Sequence, residues 1–238
     1  MLEKYGVELK LGQCVNQDTI VAGNYDAVVL ATGVRPRELE LEGADHAKVL
    51  SYLDVLDKEC PVGNKVAVIG AGGIGIDVAH FLTAQTPYSG DVPEYLQGYG
   101  ILDSEKALAL RKPKKREVTV FQRSTDKIGK RLGKTTGWAH IQTLKSHGVQ
   151  LLPGATYLKI DDSGLHVKVA LKKGEEPQEI VMDVDNVIVA AGQEPRRELE
   201  TSLRESGLEV HVIGGARQTL GLDAKTAIND AAELAAKF

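Results

Sequence analysis

The clearest change of hydrophobic period along the chain lies between Lys65 and Leu82. Val66-Ala-Val-Ile69 is an uninterrupted apolar run that enters directly on Gly70-Ala-Gly72-Gly73-Ile74-Gly75. A short apolar run bounded by glycines has the pattern of a strand buried on both faces. Beyond the glycines Ile74, Val78, Phe81 and Leu82 recur at helical spacing, which predicts a helix with one apolar face. Strand, tight turn and helix in that order open a βαβ unit.

Other apolar runs come in pairs. Asp26-Ala-Val-Val-Leu-Ala-Thr32-Gly33-Val-Arg-Pro36-Arg is echoed by Asp185-Asn-Val-Ile-Val-Ala-Ala191-Gly192-Gln-Glu-Pro195-Arg. Tyr5-Gly-Val-Glu-Leu-Lys-Leu-Gly12 is echoed by His147-Gly-Val-Gln-Leu-Leu-Pro-Gly154. A repeat with its parts in the same order marks a duplicated domain. The second copy is preceded by the glycine-rich βα entry, whereas almost nothing precedes Gly6. The expected architecture is therefore α/β: a Rossmann-like dinucleotide-binding domain, residues 57–197, inserted in a truncated second domain of FAD type, residues 1–56 and 198–238. Removal of part of a sheet exposes apolar surface, so self-association of such a fragment is an expectation as well.

Between these landmarks, Ser51–Asp57 predicts a short helix and Glu117–Gln122 a strand. Trp138, Ile141 and Leu144 begin an amphipathic helix that runs to His147, and residues 156–172 and 178–184 alternate as a meander. Residues 86–115 form a long excursion with three tyrosines and a predicted helix at Asp103–Arg111. Near the end, Val210-His-Val-Ile runs into Gly214-Gly215, and Leu222-Asp223 starts a helix with Asp223 as N-cap. Its predicted apolar face is Ile228, Ala231, Ala232, Ala235 and Phe238.

Composition narrows the function classes. A net charge of −4 argues against a general nucleic-acid binder, and Lys112, Lys114, Lys115 and Arg116 read as a solvated lead-in to a strand. No apolar run reaches the ~18 residues of a membrane span, and the N-terminus is no signal peptide, so a cytoplasmic location is expected. Cys14 and Cys60 stand 46 positions apart without a C-x-x-C, which leaves no dithiol centre or cysteine-held cluster within these residues. The six histidines show no metal-ligand spacing; His140 and His147, seven apart, read as a surface pair on one helix. The chemistry must come from a bound cofactor.

The fingerprint supplies its site. Gly70 permits a sharp turn, Gly72 lets backbone approach a pyrophosphate, and Gly75 lets the helix pack close to the strand. The N–H groups of Gly73 and Ile74 then face phosphate charge at the helix start. Small residues at the other strand ends, Thr32-Gly33 and Ala191-Gly192, allow the same close passage. The strand 117–122 ends in Gln122-Arg123, with Lys127 nearby and no acid where an NAD site places one. Arg123 therefore favours the 2′-phosphate of NADP. Gly133-Lys134-Thr135 is no Walker A motif, because Ile128 stands where that pattern needs glycine.

The whole order resembles flavoproteins in which an NAD(P)H domain is inserted within an FAD domain. Three stretches, Lys48–Leu56, Val62–Gly75 and Leu132-Gly-Lys-Thr-Thr-Gly-Trp138, are similar to the bacterial NADPH-dependent 2,4-dienoyl-CoA reductases, iron–sulfur flavoproteins related to old yellow enzyme. The resemblance implies an electron path from NADPH to FAD, then through a 4Fe–4S cluster to FMN in an N-terminal barrel absent from these residues. It matches Thr32 and Gly33 with the flavin-domain strand end, and Gly214, Gly215, Leu222 and Asp223 with the flavin-side return. At Gly215-Ala216 the chain departs from the many flavoproteins that carry an Asp there. A sister reductase or amine dehydrogenase, and a non-catalytic nucleotide-binding module, are the alternative readings.

Overall fold

The computed structural model describes residues 2–83, 116–130, 132–171 and 174–238. The excursion at 86–115, with its predicted helix, lies outside the described residues. In chain order the elements begin with α1 (Gln17–Ala22), β1 (Ala27–Leu30), β2 (Val34–Pro36), β3 (Val49–Ser51) and α2 (Tyr52–Leu56). The fingerprint region follows as β4 (Lys65–Ile69) and α3 (Gly73–Thr83), then β5 (Glu117–Gln122), α4 (Gly137–Ser146) and β6 (Gln150–Pro153). Next come β7 (Thr156–Asp161), β8 (Gly164–Val169), β9 (Gln178–Met182), β10 (Asn186–Val189) and β11 (Gln193–Pro195). The chain closes with α5 (Glu200–Glu205), β12 (Glu209–Val212) and α6 (Ala224–Ala235). Two compact units result: Met1–Arg35 with Gln193–Phe238, and Pro36–Gly192 between them in sequence.

The inserted unit is built on a five-stranded sheet of order β3-β10-β4-β5-β6, with every neighbouring pair parallel. Successive residues of β4 point to opposite faces. Val66 and Val68 join one core with Val55, Ile76, Val78, Leu82, Ile141 and Leu144 of the helices, whereas Ala67 and Ile69 join another with Leu165, Val167 and Val169 of an antiparallel sheet, β7-β8-β9. Cover on both faces is why β4 reads as an unbroken apolar run rather than an alternating one.

Several local expectations are corrected by this packing. Phe81 is 53% exposed, and α3 buries Gly75, Ile76, Val78, Ala79 and Leu82 instead. The close approach at Gly75 sets which side of α3 meets β4, and Phe81 falls on the other side. Arg116 is not merely solvated: its guanidinium donates to the carbonyls of Gly63 at 3.1 Å and Leu82 at 3.3 Å, tying the start of β5 to the end of α3. In α4, Ile141 and Leu144 are buried but Trp138 is 73% exposed, its indole N–H donating to the Thr135 carbonyl at 3.0 Å. The short helix α2 forms as its sequence suggests, through a capping box in which Ser51 and Asp54 satisfy one another's backbone N–H groups.

The outer unit has a smaller sheet. β1 pairs in parallel with β12, and Ile20, Leu30, Leu203 and Val210 form its core. The repeat fails at one point. Gln150–Pro153 forms a strand because β5 lies beside it, while Val7–Leu11 forms none and leaves Val7, Leu9 and Leu11 exposed. A strand needs a hydrogen-bonding neighbour, and β1 offers this segment no pairing. Similarly, the predicted apolar face of α6 is not the buried one. Ile228 and Phe238 are 66% and 75% exposed, and the helix buries Leu234. Among the described residues no helix is long and apolar enough to cross a membrane.

Candidate functional site

The strand order reverses at β4. β5 and β6 extend to one side, and the chain returns to the other side as β10. A crevice outside the carboxyl ends of such neighbouring strands is where open α/β sheets bind ligands. Gly70 follows β4 there with φ +113°, a backbone that favours glycine. A Cβ on Gly70 would lie 2.3 Å from the Ala190 carbonyl oxygen, and one on Gly75 would lie 1.9 Å from the Gly70 oxygen. The protein's own packing therefore demands both glycines.

Gly72 and Gly73 differ. A Cβ on either would meet no atom within 4 Å, and both residues are exposed. Among the described residues nothing requires them to be glycine, so the open backbone is accessible to an outside group. α3 starts on Gly73, and the first N–H groups of a helix have no intrahelical partner. The helix dipole adds positive potential at the same turn. This is a cradle of the kind that suits a pyrophosphate. Ile74 contributes its backbone here, since its side chain packs into the helical-side core.

The neighbouring strand end brings charge. Gly70 N–H donates to the Phe121 carbonyl at 3.0 Å, so Gln122 and Arg123 lie beside the turn. The Gln122 amide donates to the carbonyls of Ser124 at 2.9 Å and Asp126 at 2.7 Å, which shapes the loop instead of leaving that amide for a ligand. Arg123 and Lys127 are exposed and make no ion pair with any described residue. The loop's one acid, Asp126, pairs with Lys130 at 2.9 Å. Across the crevice, Gly192 has φ +120° and a Cβ there would lie 3.5 Å from Cζ of Arg37. Arg37 was not evident as a site residue; its only sequence signal is the Pro-Arg pair shared with Pro195-Arg196.

A family model described as pyridine nucleotide-disulphide oxidoreductase matches residues 1–219. The chain belongs to this family. Both units are accordingly dinucleotide-binding sub-domains of Rossmann type. Curated relatives include the metal reductase of Desulforamulus reducens, 26% identical over 215 residues, which cover 89% of this chain and 31% of the relative. Another is the cinnamate reductase of Clostridium sporogenes, 28% identical over 220 residues, 92% of this chain and 28% of that protein. The chain thus spans about a third of the length of these relatives. A solved 2-naphthoyl-CoA reductase shares the fold, with TM-score 0.76 and 24% identity over 100% of this chain and 30% of its own.

This membership overturns the narrower assignment to the iron–sulfur 2,4-dienoyl-CoA reductases. The matched family is the pyridine nucleotide-disulphide one, and among the described residues no group of three or more His, Cys, Asp or Glu is placed to hold a metal. Nothing in the matches supports the cluster, the FMN or the barrel that the resemblance implied. Cys14 and Cys60 are both free.

Within the outer unit, the expected flavin-side residues do come together. Arg196 N–H donates to the Gly33 carbonyl at 3.1 Å, and the Thr32 hydroxyl donates to the Arg196 carbonyl. A Cβ on Gly215 would lie 2.8 Å from Val34 Cγ1 and 3.2 Å from both the Gly33 carbonyl carbon and Leu222 Cδ2. The space beside Gly215 is thus filled by protein, while a Cβ on Gly33 would meet nothing within 4 Å. Asp223 caps α6, accepting from Thr226 N–H at 2.7 Å. Gly214 N–H donates to Asp230 at 3.0 Å, and Arg217 forms an ion pair with the same carboxylate at 2.6 Å. These contacts fit one open edge at Thr32-Gly33, without a second glycine fingerprint.

Proposed function

We propose that the chain is the NAD(P)H-binding reductase portion of a flavin-dependent oxidoreductase, with NADPH as its preferred donor. The observation that carries this reading is the open backbone at Gly72 and Gly73 at the start of α3, beside Arg123 and Lys127, which make no ion pair among the described residues. When bound, NADPH supplies a hydride and a flavin accepts it. The residues' part is to hold the nucleotide: Gly70 to Gly75 at the pyrophosphate, Arg123 and Lys127 at the 2′-phosphate, and Ala191-Gly192 along the opposite wall. In the outer unit Thr32, Gly33 and the Gly214–Asp223 return border the flavin in this reading. The named relatives reduce different substances yet share this third of their length, which supports a common role in drawing electrons from the nucleotide.

The test is calorimetric titration of the chain with NADPH, NADH and FAD. NADPH is expected to bind more tightly than NADH. Absence of binding by either nicotinamide nucleotide at millimolar concentration would overturn the reading, and equal affinities would remove the preference for NADPH.

A further inference from the structure

Three histidines gather where α3 meets α4. His80 lies in the last turn of α3, and its ring centroid is 5.2 Å from that of His140 on α4, with the planes at 74°. His147 is the C-cap of α4. Nε2 of His80 and Nδ1 of His147 are enclosed and have no hydrogen-bond partner among the described residues. The pair of helices is otherwise held by apolar side chains, Val78 and Leu82 against Ile141 and Leu144.

A neutral imidazole leaves one nitrogen without a proton, while an imidazolium makes both nitrogens donors. An N–H added at Nε2 of His80 would be enclosed with no acceptor among the described residues, and it would stand beside two further histidines. Burial is the larger influence holding the His80 proton affinity below its ordinary value, and His140 and His147 add to it. Asp77 on α3 and a backbone hydrogen bond at His140 act in the opposite direction, as does the helix C-terminus in which His80 sits. Among the described residues Arg116 adds a charge at that helix end, bonded to the Leu82 carbonyl.

We propose that His80, His140 and His147 form a proton-sensitive joint that loosens α3 from α4 on acidification and thereby weakens nucleotide binding at the turn where α3 begins. The link to binding rests on the nucleotide reading above. The sign follows from linkage. A histidine whose affinity for protons is lower in the folded state leaves the unfolded chain binding more of them. The joint is intact above the unfolded value of about 6.5 and is weakened as the pH falls below it.

The experiment compares the full chain with H80Q and H140Q, recording melting curves and NADP+ titrations from about pH 7.5 to about pH 5.5. In the wild type both melting temperature and affinity are expected to fall across this window, and both profiles should flatten in H80Q. The nucleotide's own 2′-phosphate titrates near pH 6, but equally for every variant, so the difference between profiles isolates the joint. If H80Q does not fold, H140Q at the exposed ring is expected to show a shallower profile than the wild type. Parallel profiles for the wild type and the folded variants would overturn the proposal. So would wild-type NMR titrations in which His80 takes up its proton at the ordinary histidine pH. Failure to bind NADP+ at any pH would overturn the link to binding, while the melting profiles still decide whether the joint exists.

Discussion

A methyl group on Gly75 would stand 1.9 Å from the carbonyl oxygen of Gly70. The first turn of α3 is pressed onto the end of β4 so closely that no side chain fits. Gly75→Ala is therefore expected to destabilise the inserted unit by about 1–3 kcal/mol through overpacking. Urea denaturation followed by circular dichroism checks this, and an unchanged midpoint would show that the contact relaxes freely.

Gly72→Val separates binding from folding. The added side chain meets open space in the protein, so stability should stay within about 0.5 kcal/mol of the wild type. It intrudes where the pyrophosphate approaches, and NADPH affinity should fall by about 10- to 150-fold, the range for charged hydrogen bonds worth ~1.5–3 kcal/mol. Undiminished affinity in a folded variant would move the site away from this turn.

Arg123→Ala tests coenzyme choice. NADPH should weaken by about 10- to 150-fold through loss of a charge-assisted bond, with NADH nearly unaffected. Gln122 holds the loop through Ser124 and Asp126, so Gln122→Ala should weaken NADPH as well, by misplacing Arg123. Equal losses for NADPH and NADH in the arginine variant would make Arg123 structural.

Asp54 gives a pH signature of stability. Hydrogen bonds from Lys58 and Ser51 hold its carboxyl at about 2 instead of 3.8. A depressed carboxylate stabilises the fold above its unfolded value and loses that contribution as pH falls toward the folded one. Asp54→Asn should cost about 0.5–2 kcal/mol near neutral pH. The gap between variant and wild type should narrow below about pH 4. Denaturation midpoints at a series of pH values measure it, and a gap independent of pH would remove the carboxylate from the cap.

The 238-residue polypeptide holds one G-x-G-x-x-G, at 70–75 in the inserted unit. An FAD pyrophosphate needs such a cradle of its own, so the purified chain is expected to be colourless after incubation with FAD and gel filtration. A yellow protein with stoichiometric flavin would show that Thr32-Gly33 and the Gly214–Asp223 return suffice to hold it.

What the sequence determined by itself is local. The switch from an apolar run to helical spacing located β4, the turn and α3, because a buried strand and a glycine turn are short-range demands on neighbouring residues. The short helix after Ser51 and the cap at Asp223 were legible for the same reason: a cap is satisfied within four residues. The paired motifs ending at Gly33 and Gly192 likewise announced two related units before either was seen.

The tertiary structure decided everything that depends on a distant neighbour. Val7–Leu11 and Gln150–Pro153 carry similar patterns, yet only the second finds an adjacent strand and pairs. Phe81 and Ile228 fit helical periodicity but face outward, since which side of a helix is buried depends on what it packs against. Arg37 beside Gly192 and His80 beside His140 lie far apart in sequence, and only the crossing of strands and helices brings them together. The same holds for the difference between Gly75 and Gly72. Both are glycines of one motif, but one is closed by the protein's own backbone and the other stands open, a distinction that exists only once α3 is seated on β4.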